Sequence, residues 1–80
     1  FRLSKNTIRL FIQICLIQET FECIFLLNST LEENIRLLLD CFNQEINSYL
    51  VYEKDTLQKC SIHVPVKSLN LYDGMTLLLF

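Results

Sequence analysis

The sequence predicts an α+β domain in which several strands form a sheet that packs on one principal helix. Two neighbouring segments near the N-terminus alternate apolar and polar residues, as half-buried strands do. A helix-capping signature then precedes a single apolar helical stripe. The chain closes with an apolar segment that follows the turn dipeptide Asp73-Gly74.

The two N-terminal strands are predicted from their period of two. The first runs from Thr7 to Ile17, and its inward residues are Ile8, Leu10, Ile12, Ile14 and Leu16. Because only Gln18-Glu19 connects it to the second strand, Thr20 to Leu27, we expect an antiparallel hairpin. Either of the two alternate sets of side chains on the second strand could face the core. We take its inner set as Phe21, Cys23, Phe25 and Leu27, which leaves outside Glu22, Ile24 and Leu26.

The helix is predicted from its cap and its stripe. Thr30 followed three positions later by Glu33 is a capping box, in which each side chain satisfies a backbone N–H of the other residue. The apolar stripe that follows has helical spacing and comprises Leu31, Ile35, Leu38, Leu39 and Phe42. We therefore expect a helix from Leu31 to about Asn43.

The C-terminal half returns to strand character. A third strand is predicted from Asn47 to Tyr52. The segment from 60 to 67 is less regular, and Pro65 has no N–H to donate, so any strand there would lie at an edge. A single turn over residues 68–71 and the Asp73-Gly74 turn then lead into the closing strand.

Length, charge and hydropathy exclude several classes of protein. Eighty residues provide one hydrophobic core and no room for a second. The net charge of −2 and the seven dispersed Lys and Arg residues argue against nucleic-acid binding, which needs basic residues clustered on one face. The longest uncharged apolar run, Leu10 to Gln18, is about half of the roughly 20 residues that cross a bilayer, so we expect no membrane insertion.

Four cysteines are spread along the chain without metal-ligand spacing. Cys15, Cys23, Cys41 and Cys60 are separated by 8, 18 and 19 positions, and no Cys-x-x-Cys pair occurs. Because the first three have apolar neighbours, we expect them to pack as small hydrophobic side chains. We therefore predict free thiols in preference to the alternative, a disulfide framework, and no bound metal, which indicates a reducing, cytoplasmic compartment.

Residue types that carry catalysis are scarce. His63 is the one histidine, and its spacing from Cys60 in an irregular segment matches no Cys–His signature. Capping and the helix dipole explain Glu32 and Glu33. With Gly74 as the one glycine, no glycine-rich phosphate loop can form. We expect no catalytic residues, no cofactor and no enzymatic activity.

Three segments in this order carry a family resemblance. They are Thr30 to Ile35 after a hairpin, Leu50 to Tyr52 after the helix, and Leu71 to Leu77 near the end. Together they resemble the ubiquitin-like β-grasp pattern. The resemblance implies a mixed sheet of four to five strands packed on one main helix, formed by residues 7–80, with residues 1–6 as an N-terminal tail.

Within that superfamily, the chain is similar to the bacterial YukD/EsaB-type proteins of type VII secretion. Those proteins are compact ubiquitin-like domains that end without a diglycine, and Phe80 closes this chain without Gly-Gly. The resemblance implies a non-conjugatable, cytoplasmic accessory protein with no enzymatic site.

Strand parity predicts which residues of the sheet face away from the helix. Leu50 and Tyr52 would point at the helix together with Leu77 and Leu79. The outward residues, which we predict to bind a protein partner, would be Val51, Leu78, Phe80 and Phe11. Ubiquitin-like domains commonly bind partners through this face, and an exposed apolar cluster is typical of an interaction site. If parity slips or a β-bulge intervenes, some of these side chains would belong to the core instead.

Two functions are consistent with this sequence. The first is a protein-interaction module that docks on a partner, such as a secretion-apparatus component, through its apolar sheet face. The alternative is an assembly domain that forms a homodimer through the same face or through an edge strand. Conjugation or sulfur transfer would need a C-terminal Gly-Gly after Phe80, so we keep that function only for the case that this chain is a piece of a longer protein.

Overall fold

The computed structural model describes residues 6–80, so all but the last residue of the predicted tail lies outside the described residues. Four strands, one α-helix and one short 3₁₀ helix form within this range. The strands are β1 (Thr7–Ile14), β2 (Glu19–Leu26), β3 (Val51–Glu53) and β4 (Thr76–Leu79). The helices are α1 (Leu31–Cys41) and the 3₁₀ helix Val66–Ser68.

The four strands form one mixed sheet in the order β2-β1-β4-β3. The hairpin partners β1 and β2 are antiparallel, the central pair β1 and β4 is parallel, and β3 pairs antiparallel with β4. The first and last strands of the chain therefore lie side by side in the middle of the sheet. This arrangement, with one principal helix on the sheet, confirms the predicted α+β fold.

The core lies between α1 and one face of the sheet, which we call the inner face. Its sheet side comes from alternate residues of the two central strands, Ile8, Leu10, Ile12, Ile14, Leu77 and Leu79. Its helix side consists of Leu31, Ile35, Leu38 and Leu39, whereas Phe42, the fifth residue of the predicted stripe, follows the end of the helix and is 44% exposed. Phe25 of β2 also belongs to this core, and its neighbours Phe21, Cys23 and Leu27 are partly buried against it. The remaining core residues are Val51, Val66 and Met75. The predicted inner set of the second strand is confirmed.

The helix begins with the predicted capping box. The backbone N–H of Glu33 donates to Oγ1 of Thr30 at 3.1 Å, and the backbone N–H of Thr30 donates to Oε1 of Glu33 at 3.2 Å. A cap of this kind typically contributes about 1 kcal/mol to stability. The helix ends at Cys41, two residues before the expected end, and Asn43 takes a left-handed φ of 55°.

The Asp73-Gly74 turn fastens the start of the closing strand to β1. Gly74 has a φ of 88°, which favours glycine because it has no Cβ. Its N–H donates to the carbonyl oxygen of Arg9 at 2.7 Å. A Cβ at this position would lie 3.1 Å from Nη2 of Arg9, so the side chain of any other residue would crowd the guanidinium.

Three local expectations are wrong. Leu16 is 80% exposed, because β1 ends at Ile14 and Leu16 lies in the turn before β2. Cys41 is exposed, because it lies in the last turn of α1 away from the core stripe. The third strand is Val51–Glu53 and not the longer Asn47–Tyr52, because hydrogen bonding to β4 reaches back only to Leu50.

The predicted orientation of the third strand is also wrong. Val51, expected to point outward, is 1% exposed and belongs to the core, whereas Leu50, expected to face the helix, is 44% exposed. The reason is the register, which places Val51 directly opposite the buried Leu79. Side chains directly opposite each other in an antiparallel pair lie on the same face of the sheet, so Val51 follows Leu79 inward.

Candidate protein-binding face

An apolar patch lies on the outer face of the sheet, away from α1, where β3 meets β4. Tyr52 lies opposite Leu78 in the register. Leu50 and Phe80 exchange two backbone hydrogen bonds of 2.9 Å each, which extends the same ladder by one residue pair. Since residues two apart on a strand share a face, these four side chains lie together. We call Leu50, Tyr52, Leu78 and Phe80 the outer patch.

The outer patch is held in one arrangement by its own packing. The rings of Tyr52 and Phe80 meet edge to face, with centroids 5.6 Å apart and planes inclined by 79°. Such aromatic pairs contribute about 0.5–1.5 kcal/mol beyond the area that they bury. Phe80 is 58% exposed, while Leu78 and Tyr52 are half-buried. A partner would therefore meet a preformed apolar surface.

Phe11 lies on the same face but one strand further across the sheet. It is half-buried in β1, opposite Thr76 of β4, and Gln13 lies opposite Leu78. The guanidinium carbon of Arg9 lies 5.4 Å from the centroid of the Phe11 ring. Phe11 therefore lies at the border of the outer patch, on the side of Gln13 and Arg9.

Of the four residues predicted to bind a partner, Leu78, Phe80 and Phe11 lie on the outer face and Val51 does not. Leu50 and Tyr52 take its place, and the sequence prediction missed both. Residues 49–52 are all apolar or aromatic, so no alternation in that segment could have assigned them to the outer face.

A polar cluster occupies the other half of the outer face. Nη1 of Arg9 lies 2.7 Å from Oε2 of Glu22, and its Nε lies 3.6 Å from Oδ2 of Asp73. The backbone N–H of Arg9 also donates to Oδ1 of Asp73 at 2.9 Å. The hydrogen bond to Glu22 is the main cause that raises the pKa of Arg9. This cluster lies between the apolar patch and Ile24 of β2, so the outer face has two chemically distinct halves.

Cys60 and His63, the two residue types most often used in catalysis, both lie beside β3. Cys60 is half-buried, and burial raises the pKa of its thiol, with a smaller contribution from Glu53. A raised pKa keeps the thiol protonated and weakly nucleophilic at neutral pH. Both Cys60 and the exposed His63 line an apolar cavity of about 500 Å³ beside β3, together with Tyr49 and Leu50.

Residues 6–80 contain neither a metal-ligand cluster nor a membrane-spanning helix. No group of three or more His, Cys, Asp or Glu side chains in that range is arranged to hold a metal ion. None of the helices there is both long and apolar enough to cross a bilayer. The thiols of Cys15, Cys23, Cys41 and Cys60 form no disulfide with one another.

Comparison with known proteins identifies the fold. No protein-family profile and no curated protein matches the sequence. Among solved structures, the ubiquitin-like domain of the Arabidopsis thaliana protein At2g32350 matches with a TM-score of 0.74 at 9% identity, over 99% of this chain and 81% of that one. A structure described as molecular mimicry of SUMO that promotes DNA repair matches with a TM-score of 0.81 at 11% identity, over 98% of this chain and 95% of the other. The fold is the ubiquitin-like β-grasp.

The β-grasp fold by itself does not separate binding modules from parts of enzymes. A chain of a toluene 4-monooxygenase complex with the inhibitor 4-bromobenzoate shares the fold, with a TM-score of 0.71 at 8% identity, over 91% of this chain and 95% of that one. At such identities the likeness establishes the fold alone. The absence of catalytic activity and the link to type VII secretion both stay predictions.

Proposed function

We propose that this ubiquitin-like domain is a protein-interaction module that binds a partner through the outer patch. The observation that carries the proposal is the contiguous apolar surface formed by Leu50, Tyr52, Leu78 and Phe80. Two of these side chains, Leu50 and Phe80, are 44% and 58% exposed in the isolated domain. Exposed apolar clusters that polar residues border are typical of interaction sites. The likeness to ubiquitin-like domains supports a binding role in general.

The composition of the patch suits a binding centre. Aromatic side chains are enriched among the residues that dominate binding energy, and here Tyr52 and Phe80 already pack on each other. Burial of the patch would contribute roughly 25 cal/mol per Å² of apolar area before the costs of association are subtracted. Because the β-ladder fixes the backbone under all four side chains, little ordering would accompany binding.

A narrower form of the proposal names the partner. The similarity to YukD/EsaB-type proteins supports a component of a bacterial type VII secretion apparatus, with this domain as a non-conjugated, cytoplasmic accessory protein. Genes for a secretion ATPase and small helical substrates beside the gene of this chain would support this version. If other genes surround it, the broader proposal stays open and the narrower one fails.

The test compares a patch variant with a matched variant on the opposite side of the domain. Leu50→Asp places a carboxylate in the outer patch, whereas Leu37→Asp makes the same change on α1, where Leu37 is 60% exposed. We expect both proteins to fold. The proteins that wild type retains from an extract of the native host, identified by mass spectrometry, should also be retained by Leu37→Asp and lost by Leu50→Asp.

Two results would contradict the proposal. If Leu50→Asp retains the same proteins as wild type, the binding surface lies elsewhere. If wild type sediments as a dimer and Leu50→Asp sediments as a monomer, the patch serves self-association and the alternative assembly role replaces the proposal.

A further inference from the structure

A cleft opens where β3 and the segment that folds back along it separate. The two are joined by the N–H of Cys60, which donates to the carbonyl oxygen of Val51 at 2.8 Å. Beyond this pair, Leu50 continues the ladder with the residue after β4, whereas the carbonyl oxygen of Ile62 accepts from the N–H of Glu32 at the start of α1, at 2.9 Å. The cavity of about 500 Å³ beside β3 lies between the two diverging segments, and we call it the side cleft.

The walls of the side cleft are apolar and fixed in place. Val51 is buried, Tyr49 and Ile62 are partly buried against the core, and Leu50 forms one exposed lip. Because backbone hydrogen bonds hold both diverging segments, the cleft exists before any ligand arrives. Small-molecule sites have volumes of roughly 300–1,000 Å³ and combine apolar walls with a few polar groups, and the side cleft fits that description.

The polar side chains of the side cleft select the charge of its occupant. Lys59, Ser61 and His63 line it and are exposed, whereas no carboxylate of residues 6–80 does so. Lys59 forms no ion pair with another residue of that range, so its ammonium group is available to a ligand. The hydroxyl of Ser61 and the imidazole of His63 each carry a hydrogen-bond donor. Donors of this kind favour an oxygen anion, above all beside an ammonium group.

A neighbouring cavity has the opposite charge pattern. It measures about 410 Å³ and shares Tyr49 with the side cleft, but Glu32, Asp40 and Glu45 line it against one basic residue, Arg36. The protein as a whole carries a net charge of −2, so unspecific attraction would favour cations. A preference for anions at the side cleft would therefore come from its own side chains.

We propose that the side cleft binds a small amphiphile made of an aliphatic chain and a carboxylate. The chain packs on Tyr49, Leu50 and Ile62, and the carboxylate accepts hydrogen bonds at the Lys59 and His63 end. This function differs in kind from the protein binding of the outer patch. The two surfaces share Leu50, and since the experiments below leave that residue unchanged, failure of one proposal does not decide the other.

The test compares three ligands that differ in charge or in chain length: octanoate, octylammonium and butanoate. Each is titrated into isotope-labelled protein at neutral pH and low ionic strength, and amide chemical shifts are followed. Octanoate should shift the amides of Val51, Ser61 and His63 and bind at least about five-fold more tightly than octylammonium. It should bind at least about ten-fold more tightly than butanoate, because each fully buried CH₂ group contributes up to about four-fold.

A matched pair of variants separates the local charge from the total charge. Lys59→Glu reverses the charge at the side cleft and should abolish or reverse the preference for octanoate over octylammonium. Lys67→Glu makes the same change at an exposed position of the 3₁₀ helix, outside the cleft, and should keep the preference of wild type. Both side chains are exposed, so both variants should fold.

The thiol of Cys60 reports occupancy directly, because it is half-buried and lines the side cleft. Saturating octanoate should slow its alkylation by iodoacetamide at least about two-fold, whereas the rate at the exposed Cys41 should not change. The reaction is run at alkaline pH, because burial raises the pKa of Cys60. Peptide mapping by mass spectrometry gives the two rates.

Several outcomes would overturn the proposal. These are absence of shifts at millimolar octanoate, equal binding of octanoate and octylammonium or of octanoate and butanoate, and an unprotected Cys60 at saturation. Equal effects of Lys59→Glu and Lys67→Glu would overturn it as well, because the preference would then reflect total charge. Shifts confined to Leu78 and Phe80 would place the ligand on the outer patch instead of in the side cleft.

Discussion

The two edge strands of this sheet satisfy their backbone groups in different ways. β3 is three residues long, and the following segment folds back to cover it. The N–H of Cys60 donates to the carbonyl oxygen of Val51 at 2.8 Å, and the N–H of Glu53 donates to that of Gln58 at 2.9 Å. β2 is eight residues long, and within residues 6–80 the cover on the outward-facing backbone of its Thr20–Leu26 stretch is the Asn34 side chain, which pairs with the N–H and C=O of Leu26.

This difference follows from where the chain goes after each strand. After β3 the chain reverses tightly, with Leu57 in a left-handed conformation at φ 58°, and returns along the same edge. After β2 the chain leaves the sheet to form α1, and later backbone returns beyond the end of the strand, where the N–H of Lys67 donates to the carbonyl oxygen of Leu27 at 3.0 Å. The covered edge supports a fixed apolar platform, the outer patch, whereas the open edge retains the capacity to accept a strand.

The largest expected effect on stability tests the orientation of β3. Val51→Asp would place a carboxylate in the core, at a site that is 1% exposed, and should cost more than about 4 kcal/mol. The same change at the neighbouring Leu50, which is 44% exposed, should cost less than about 1 kcal/mol. Urea denaturation followed by circular dichroism measures both. Equal destabilisation by the two variants would mean that β3 does not keep this register.

A smaller effect on stability is expected from Asn34, the residue of α1 whose side chain pairs with Leu26 at one end of the outer edge of β2. Asn34→Ala would remove both hydrogen bonds to Leu26. The partly buried backbone N–H and C=O of Leu26 would then lack partners, which should cost about 1–3 kcal/mol. The amide of Leu26 should also exchange faster with solvent. The control, Asn47→Ala, changes an exposed asparagine and should stay within about 0.5 kcal/mol of wild type. Indistinguishable stabilities of the two variants would argue that the amide pairing contributes nothing.

The smallest expected effect on stability comes from the thiol of Cys23 on β2 and is confined to alkaline pH. Burial, with a smaller contribution from Glu22, raises the pKa of Cys23 from 9.0 to about 12. Because the folded protein holds this proton more tightly than the unfolded chain does, the contribution to stability is complete below about pH 9 and declines as the pH rises towards about 12. The stability difference between wild type and Cys23→Ala should therefore shift against wild type as the pH rises from about 8 to about 10.5.

Thiol reactivity gives an independent measure of the same property. Cys23 should react more slowly with iodoacetamide at neutral pH than the exposed Cys41, because it remains protonated and half-buried. Peptide mapping by mass spectrometry after timed alkylation gives the two rates. A Cys23 that reacts as fast as Cys41 would indicate that β2 separates from α1 often enough to expose it.

The sequence by itself determined the features that depend on near neighbours along the chain. The alternation in β1 identifies Ile8, Leu10, Ile12 and Ile14 as core residues, because a strand exposes successive side chains to opposite faces. The capping box at Thr30 and Glu33 sets the start of α1, since both hydrogen bonds lie within four residues. Gly74 marks its turn because only glycine accepts a positive φ without a steric cost.

The tertiary structure decided the features that depend on which strand lies alongside. The segment around β3 is apolar without a break, so it carries no period, and the pairing of Val51 with Leu79 assigns one residue inward and its neighbours outward. Asn34 is a polar residue of the first helical turns in the sequence, and its role appears only when α1 brings it beside Leu26. Sequence patterns reflect local geometry, whereas strand register and the hydrogen bonding of the sheet edges depend on contacts between residues far apart in the chain.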